Sequence, residues 1–261
     1  MANLKELLDF TKEVVLKTAQ KVINHRETTS LRVHTFDDDL KREMKAFADQ
    51  FIEKHLIFEL EKRGIPILSE ECGAKGETQD SDYLFIIDPL DGTFNYVRNF
   101  GACAISVALW HKDEPIFGVI YDLDREELYW GGKDYGAFCD SHPLGVSIIS
   151  EIGKSLVCSG FPVRYDLKDL YADNYMAILS NFAKVRMIGS AAISIINVAR
   201  GVAEAYFEKN IMIWDVAAGI AIAEGAGASY ILIPTPIAQS FDVIVSNNKL
   251  MKELKGIIDE R

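Results

Sequence analysis

The segment at positions 86–93, IIDPLDGT in one-letter code, constrains the fold more than any other part of this chain. An apolar stretch typical of a buried strand leads directly into two carboxylates, Asp88 and Asp91, three positions apart. Because Pro89 lacks a backbone N–H and Gly92 permits a sharp turn, the strand is expected to end here. Both carboxylates can then face one point at the end of the strand.

The same turn can bind both a metal ion and a phosphate group. The Leu90 carbonyl lies between the two carboxylates, and the N–H groups of Gly92 and Thr93 begin a helical turn that suits an anion. Mg²⁺ prefers hard oxygen ligands of this kind, and two such ions can activate a water and stabilise a leaving oxygen. The alternative interpretation is a plain strand-to-helix turn with a capping aspartate, which this segment alone does not exclude.

Further carboxylates lie in two similar positions. Glu70 and Glu71 follow the apolar run 65–68, so they also stand at the end of a predicted strand. Asp215 follows Trp214 and begins a strongly apolar helical segment. It could be a simple helix N-cap, or it could add a carboxylate to the same site.

Apolar periodicity predicts a mixture of helices and strands without repeats. Helices are expected over 4–23, about 38–63, 167–180, 191–201 and 214–224, and strands over 65–68, 83–88, 103–110, 116–121, 127–130, 136–139, 155–158, 185–188, 204–208 and 229–233. A weak boundary near 145–153 separates an N-terminal α+β half, residues 1–145, from a C-terminal α/β half, residues 146–261. We expect these halves to form one compact unit.

Composition and charge exclude several classes of function. The net charge of −11 argues against a nucleic-acid partner, which needs a basic surface. No apolar run reaches the roughly 18 residues of a membrane span, and the charged N-terminus is unlike a secretory signal, so we expect a cytoplasmic protein. The four cysteines are widely spaced and favour reduced, mostly buried thiols, and the five histidines form no group resembling a catalytic triad.

The motif Asp88-Pro-Leu-Asp-Gly-Thr93 resembles the signature of the inositol monophosphatase family. This family belongs to the Mg²⁺-dependent, Li⁺-sensitive phosphatases that include fructose-1,6-bisphosphatase. The resemblance extends from Asp49 to about Asn247 and includes the Glu70-Glu71 pair, residues 189–192 and residues 213–215. It implies an α/β fold, built as a layered α-β-α-β-α sandwich, and a homodimer.

The resemblance also implies roles for individual residues. The residues expected to bind two or three Mg²⁺ ions are Glu70, Asp88, the Leu90 carbonyl, Asp91 and Asp215. Those expected to act in catalysis are Thr93, which orients the nucleophilic water, Asp49, which supports Thr93, and Glu70, which acts through a metal-bound water. Those expected on the substrate side are Leu90, Asp91, Gly92, Thr93, Gly189, Ser190, Ala191, Glu208 and Asp215.

The chain departs from the family pattern near the residue that should support Thr93. The family often has a Val-Thr-x-x-Asp segment in its second helix, whereas this chain has Ala46-Phe-Ala-Asp49. Asp49 is the best match because the sequence through Glu53 resembles the family. The competing candidate is the acidic triplet 37–39, whose alternative role is to interact favourably with the dipole of the predicted helix.

The motifs indicate the type of reaction, hydrolysis of a phosphate ester, more clearly than they indicate which alcohol the ester contains. We expect a small phosphorylated metabolite, inositol monophosphate or a similar sugar or polyol phosphate. The alternatives are 3′-phosphoadenosine 5′-phosphate, fructose 1,6-bisphosphate and histidinol phosphate. Arg164, Arg186 and Lys209 are candidates to meet a second phosphate or a counter-charge on the substrate. A catalytically inactive scaffold is disfavoured because all the expected carboxylates are present.

Overall fold

The structure contains two large β-sheets separated and flanked by helices. It is a computed structural model and describes residues 3–24, 34–36, 44–76, 82–161 and 171–259. The helices are α1 (Leu4–Asn24), α2 (Phe47–Leu60), α3 (Thr93–Arg98), α4 (Tyr171–Leu179), α5 (Ala191–Ala199), α6 (Ile213–Gly225) and α7 (Asn248–Asp259). The strands are β1 (His34–Phe36), β2 (Met44–Ala46), β3 (Ile67–Ser69), β4 (Gly73–Lys75), β5 (Tyr83–Asp91), β6 (Ala104–His111), β7 (Glu114–Asp122), β8 (Glu127–Gly132), β9 (Gly136–Cys139), β10 (His142–Pro143), β11 (Leu156–Ser159), β12 (Lys184–Met187), β13 (Ala205–Met212), β14 (Ala228–Pro234) and β15 (Ser240–Asn247). Among the described residues, no helix is both long and apolar enough to cross a bilayer.

Two sequence-based expectations about these elements were wrong. The second helix does not begin near residue 38, because residues 44–46 form β2 and α2 begins at Phe47. Asp49 stabilises this start, since its Oδ2 accepts a hydrogen bond from the Ala46 N–H at 2.5 Å. The acidic triplet 37–39 lies outside the described residues. The second error was one of omission, because no element had been predicted at the positions of β1, β4, β10, β15 and α7.

The first large sheet has eight strands in the order β10-β9-β8-β7-β6-β5-β3-β4. Its neighbours are antiparallel except for β3 and β5, which run parallel. The parallel register places Ser69, the last residue of β3, beside Ile87 near the end of β5. The acidic segments that follow these two strands therefore lie at the same edge of the sheet.

The second large sheet has five strands in the order β12-β11-β13-β15-β14. Strand β11 is parallel to both β12 and β13, and β15 is antiparallel to β13 and β14. A register shift interrupts the β13–β15 pairing between Glu208 and Ile211. Glu208 therefore lies where the regular part of β13 ends.

The helices and sheets stack as five layers. Side chains alternate along each strand, so each sheet has two apolar faces that pack against helices. On β5, Phe85 and Ile87 pack against α1 and α2, whereas Ile86 faces α5 and α6. The inner face of the five-stranded sheet, including Tyr206 and Val243, packs on the other side of α5 and α6. Its outer face contacts α4 and α7. The order is α-β-α-β-α, which confirms the predicted fold class.

Helix α6 lies unusually close to the eight-stranded sheet. Gly118 on β7 faces this helix, and a Cβ atom added there would lie 2.1 Å from the Ala218 carbonyl oxygen. Since the clash is with backbone, no side-chain rotation relieves it. A glycine at this position allows α6 to pack so that its N-terminus lies beside the end of β5.

Replacing Gly118 with alanine should therefore destabilise the protein. We expect Gly118→Ala to cost about 3 kcal/mol, at the upper end for overpacking, and to lower the Tm by roughly 6–12 °C. Gly145→Ala is the matched control, because an added Cβ at Gly145 meets no atom within 4 Å. Thermal unfolding of both variants would contradict this packing account if they lost equal stability.

Candidate active site

The end of β5 brings Asp88 and Asp91 to the same side of the sheet. Residues three apart on a regular strand face opposite sides. Here Asp88 pairs with Ser106 and Asp91 with Ala104 on β6, so β5 has one extra residue and forms a bulge. The Leu90 N–H donates to Asp88 Oδ1 at 3.0 Å within this bulge. The irregularity, caused locally by the Asp-Pro-Leu-Asp sequence, lets both carboxylates converge.

The N-terminus of α5 holds Asp91. The Ser190 hydroxyl donates to Asp91 Oδ2, and the N–H groups of Ala191 and Ala192 lie 3.2 and 2.8 Å from its carboxylate oxygens. Burial raises the pKa of Asp91 to about 6, although these hydrogen bonds oppose the shift. Part of the segment predicted to contact substrate thus also fixes a predicted metal ligand.

Asp215 joins the two aspartates from the N-terminus of α6. It is the third residue of the helix, and its Oδ2 accepts a hydrogen bond from the Met212 N–H at 3.2 Å. One carboxylate oxygen from each of Asp88, Asp91 and Asp215 lies within 4.8 Å of the others. Asp215 therefore combines a helix-capping contact with membership of the carboxylate cluster, the two roles left open by its sequence.

The groups in this cluster are all carboxylates, so their negative charges repel one another. Asp88 is fully buried, and its Oδ2 receives no hydrogen bond from the described part of the chain. Burial, followed by repulsion from Glu70, Asp91 and Asp215, raises the pKa of Asp88 well above its usual range. Glu70 stands beside Asp88 because its N–H donates to the Ile87 carbonyl at 3.2 Å. Hard oxygen ligands that converge with no counter-charge among the described residues that act on Asp88 fit a divalent cation.

Thr93 and Asp49 contact each other next to the cluster. Thr93 Oγ1 lies 3.1 Å from Asp49 Oδ1 and 2.9 Å from the Leu90 carbonyl oxygen, so its proton has two acceptors. Burial raises the pKa of Asp49 to about 7, and the nearby Glu71 adds to the shift. Two of the residues predicted to act in catalysis are thus hydrogen-bonded, although they are far apart in sequence.

Gly92 makes the change from strand to helix possible. It has a φ of 82°, in the left-handed region, and α3 begins directly after it at Thr93. A Cβ at this position would lie 2.7 Å from the Ala102 carbonyl oxygen. Both the backbone conformation and the space therefore require glycine here.

A cavity of about 230 Å³ opens beside the carboxylates. The residues that line it are Asp91, Ser159, Gly160, Phe161, Gly189, Ser190, Ala191, Glu208, Ile211 and Asp215. It includes six of the residues predicted to lie on the substrate side, and two of these six, Asp91 and Asp215, are also predicted to bind metal. Its position is suitable for the alcohol part of an ester whose phosphate lies at the cluster.

Glu208 adds a further carboxylate to the lining of this cavity. Tyr206 lies two positions earlier on β13, on the same face, and its hydroxyl donates to Glu208 Oε2 at 2.9 Å. Burial, together with repulsion from Asp91, raises the pKa of Glu208 to about 7. Glu208 can therefore offer an oxygen to a substrate hydroxyl.

Several residues around the cavity had not been singled out from the sequence. Residues 159–161 line it, and the strand predicted over 155–158, followed by a glycine, was a signal for this position. Asn95 was also missed, although its Nδ2 donates to the Ile188 carbonyl at 2.7 Å and to the Gly189 carbonyl at 3.3 Å. Because these contacts join segments more than 90 positions apart, local sequence patterns do not indicate them.

A larger cavity, of about 680 Å³, lies between α1 and α2. Its charged lining residues are Lys17, Lys21, Lys54 and Glu59. It shares no lining residue with the smaller cavity, and none of the clustered aspartates contributes to it. The larger of these two cavities is therefore not the one that adjoins the aspartate cluster.

The chain is similar in sequence to known proteins over most of its length. A fructose-1,6-bisphosphatase/inositol-1-monophosphatase from Aquifex aeolicus is 30% identical over 255 residues, covering 96% of this chain and 94% of that protein. The Nus factor SuhB of Xylella fastidiosa is 36% identical over 183 residues, covering 69% of this chain and 65% of its own.

Similarity in structure extends over almost the whole chain. An inositol monophosphatase from Anabaena (Nostoc) sp. PCC 7120 superposes with a TM-score of 0.83 at 30% identity, covering 99% of this chain and 97% of that one. The model of the inositol monophosphatase family matches residues 3–259. The chain therefore belongs to the inositol monophosphatase family, whose homologues are phosphatases that hydrolyse phosphomonoesters.

Proposed function

We propose that this protein is a Mg²⁺-dependent phosphomonoesterase that hydrolyses inositol monophosphate or a similar sugar or polyol phosphate. One observation carries the proposal. Three buried or partly buried aspartates converge to within 4.8 Å, beside a cavity that can accept a small alcohol. Such an arrangement of like charges is unfavourable unless a cation binds it, and a cation there would also attract a phosphate.

The residues proposed to hold Mg²⁺ are Glu70, Asp88, the Leu90 carbonyl, Asp91 and Asp215. When bound, the metal neutralises phosphate charge and lowers the pKa of water, as hydrolysis of a phosphomonoester near neutral pH requires. Occupancy by two or three ions is part of the proposal. The number of carboxylates supports more than one ion, because a single Mg²⁺ is typically bound by only one or two carboxylates.

Thr93 is proposed to orient the attacking water. Its hydroxyl proton is directed to Asp49 or to the Leu90 carbonyl, so the Oγ1 lone pairs are left to accept a hydrogen bond from water. Asp49 in its ionised form would hold the Thr93 hydroxyl in this orientation. The N–H groups of Gly92 and Thr93, at the start of α3, are proposed to donate to the phosphate.

The cavity favours an alcohol that carries hydroxyl groups but no second phosphate. Glu208 supplies a hydrogen-bond acceptor for hydroxyls, whereas the described lining residues include no lysine or arginine. Of the candidate counter-charges, Arg186 is exposed and Lys209 does not line the cavity. Arg164 lies outside the described residues. This supports a polyol monophosphate over a bisphosphate.

A second candidate activity is the hydrolysis of fructose 1,6-bisphosphate. The observation that favours it is the name of the Aquifex relative, which combines fructose-1,6-bisphosphatase with inositol-1-monophosphatase. 3′-Phosphoadenosine 5′-phosphate and histidinol phosphate remain alternatives from the sequence resemblance. Lithium sensitivity, a homodimer and a cytoplasmic location also remain predictions, as does the absence of a nucleic-acid partner.

The direct test of function is phosphate release from a panel of esters, with excess Mg²⁺ and with chelator. The panel contains inositol 1-phosphate, 3′-phosphoadenosine 5′-phosphate, fructose 1,6-bisphosphate and histidinol phosphate. We expect release only with Mg²⁺ and the highest kcat/KM for inositol 1-phosphate. Equal activity in chelator would contradict the metal requirement, and faster turnover of a bisphosphate would contradict the substrate assignment.

The cluster can be tested by neutralising its most buried member. We expect Asp88→Asn to lower kcat by at least about 10³-fold, because it removes charge where the cation should bind. Its Tm in chelator should equal or exceed that of the wild type, since a repelling charge is lost. The control is Asp122→Asn, a buried aspartate on β7 whose carboxylate accepts two backbone N–H groups outside the cluster. The control should retain wild-type kcat, and an active Asp88→Asn protein would refute the metal assignment.

A further inference from the structure

Helix α2 carries Asp49, which has a role in the proposed function, and also Glu53, to which the proposed function assigns no role. Asp49 and Glu53 are four positions apart, so they lie on the same face of the helix. Asp49 contacts Thr93, whereas Glu53 reaches the turn that follows β3. One face of α2 therefore contacts two separate segments of the candidate active site.

Glu53 accepts two hydrogen bonds on one carboxylate oxygen. The Ser69 Oγ lies 2.5 Å from Glu53 Oε1, and the Cys72 backbone nitrogen lies 3.0 Å from the same atom. Ser69 is fully buried at the end of β3, and Cys72 is exposed. Because hydrogen bonds to an ionised acceptor are about twice as strong as neutral ones, Glu53 holds both ends of this turn firmly.

The turn held by Glu53 carries the pair Glu70 and Glu71. Repulsion from Glu70 contributes to the raised pKa of Asp88, and repulsion from Glu71 contributes to the raised pKa of Asp49. Both glutamates therefore lie close enough to act on the candidate active site. Their positions depend on the turn, which Glu53 binds at both ends in addition to the hydrogen bond from the Glu70 N–H to the Ile87 carbonyl.

We propose that Glu53 is a positioning residue that places Glu70 for the binding of divalent cations at the aspartate cluster. The proposal rests on the proposed function, because it assigns Glu70 to the metal site. A purely structural role accounts less well for a carboxylate, which adds a like charge next to Glu70 and Glu71. Groups that orient a metal ligand from outside typically contribute about 10–100-fold to metal affinity. Glu53 would act on Glu70 through Ser69 and Cys72, which stand on either side of it in the turn.

The experiment is calorimetric titration of the chelator-treated protein with Mg²⁺. We expect Glu53→Ala to raise the Kd for Mg²⁺ by about 10–100-fold, because both ends of the turn lose their acceptor. Glu53→Gln retains an oxygen that can accept both bonds, and should recover at least half of this loss on a logarithmic scale. The matched control is Glu59→Ala, which removes an exposed ion pair between the end of α2 and Lys62 and should leave the Kd unchanged.

Stability is measured in parallel to separate positioning from folding. The proposal is overturned if Glu53→Ala lowers the Tm in chelator but leaves the Kd for Mg²⁺ within twofold of the wild type. It is also overturned if Glu53→Gln recovers less than half of the loss, since the charge rather than the hydrogen bonds would then matter. A wild-type protein that binds Mg²⁺ but hydrolyses no ester would refute the proposed function alone, because the titration does not depend on activity.

Discussion

The packing that holds mutually repelling carboxylates together at the end of β5 is the constraint on which the candidate active site depends. Asp88 and Asp91 come from β5 and Asp215 comes from α6, yet one carboxylate oxygen of each lies within 4.8 Å of the others. Isolated in water, such groups would separate. Here the packing of α6 against the eight-stranded sheet, which requires glycine at position 118, prevents them from doing so. Favourable packing therefore offsets the repulsion and keeps the carboxylates in an arrangement that suits a positive charge.

The fold limits the cost of this repulsion with backbone N–H groups. Asp91 lies at the N-terminus of α5, and Asp215 lies in the first turn of α6, where helix dipoles favour negative charge. Asp88 is stabilised less by hydrogen bonds, since its Oδ2 has no donor among the described residues. It is consequently the position at which a bound cation would bring the largest gain.

The sequence indicated which carboxylates belong to the candidate site better than it indicated the long-range contacts that hold them there. The Asp-Pro-Leu-Asp-Gly-Thr motif pointed to Asp88 and Asp91 because its turn chemistry is local, and the family resemblance pointed to Glu70 and Asp215. Contacts across the chain could not be predicted in this way. The hydrogen bonds from residues 190–192 to Asp91 join positions about 100 apart. The start of α2 was misplaced because a helical pattern of apolar residues continued into β2.

The most direct test is the Tm of the protein between pH 5 and pH 8, with chelator and with Mg²⁺. Burial raises the pKa of Asp91 to about 6 and of Asp49 to about 7, so the native state binds more protons than the unfolded state at pH 5. As the pH rises these protons are lost, and the free energy of unfolding without metal should fall. The account predicts that the rise in Tm produced by Mg²⁺ grows from pH 5 to pH 8. A Tm in chelator that increases over this range, together with no effect of Mg²⁺, would contradict it.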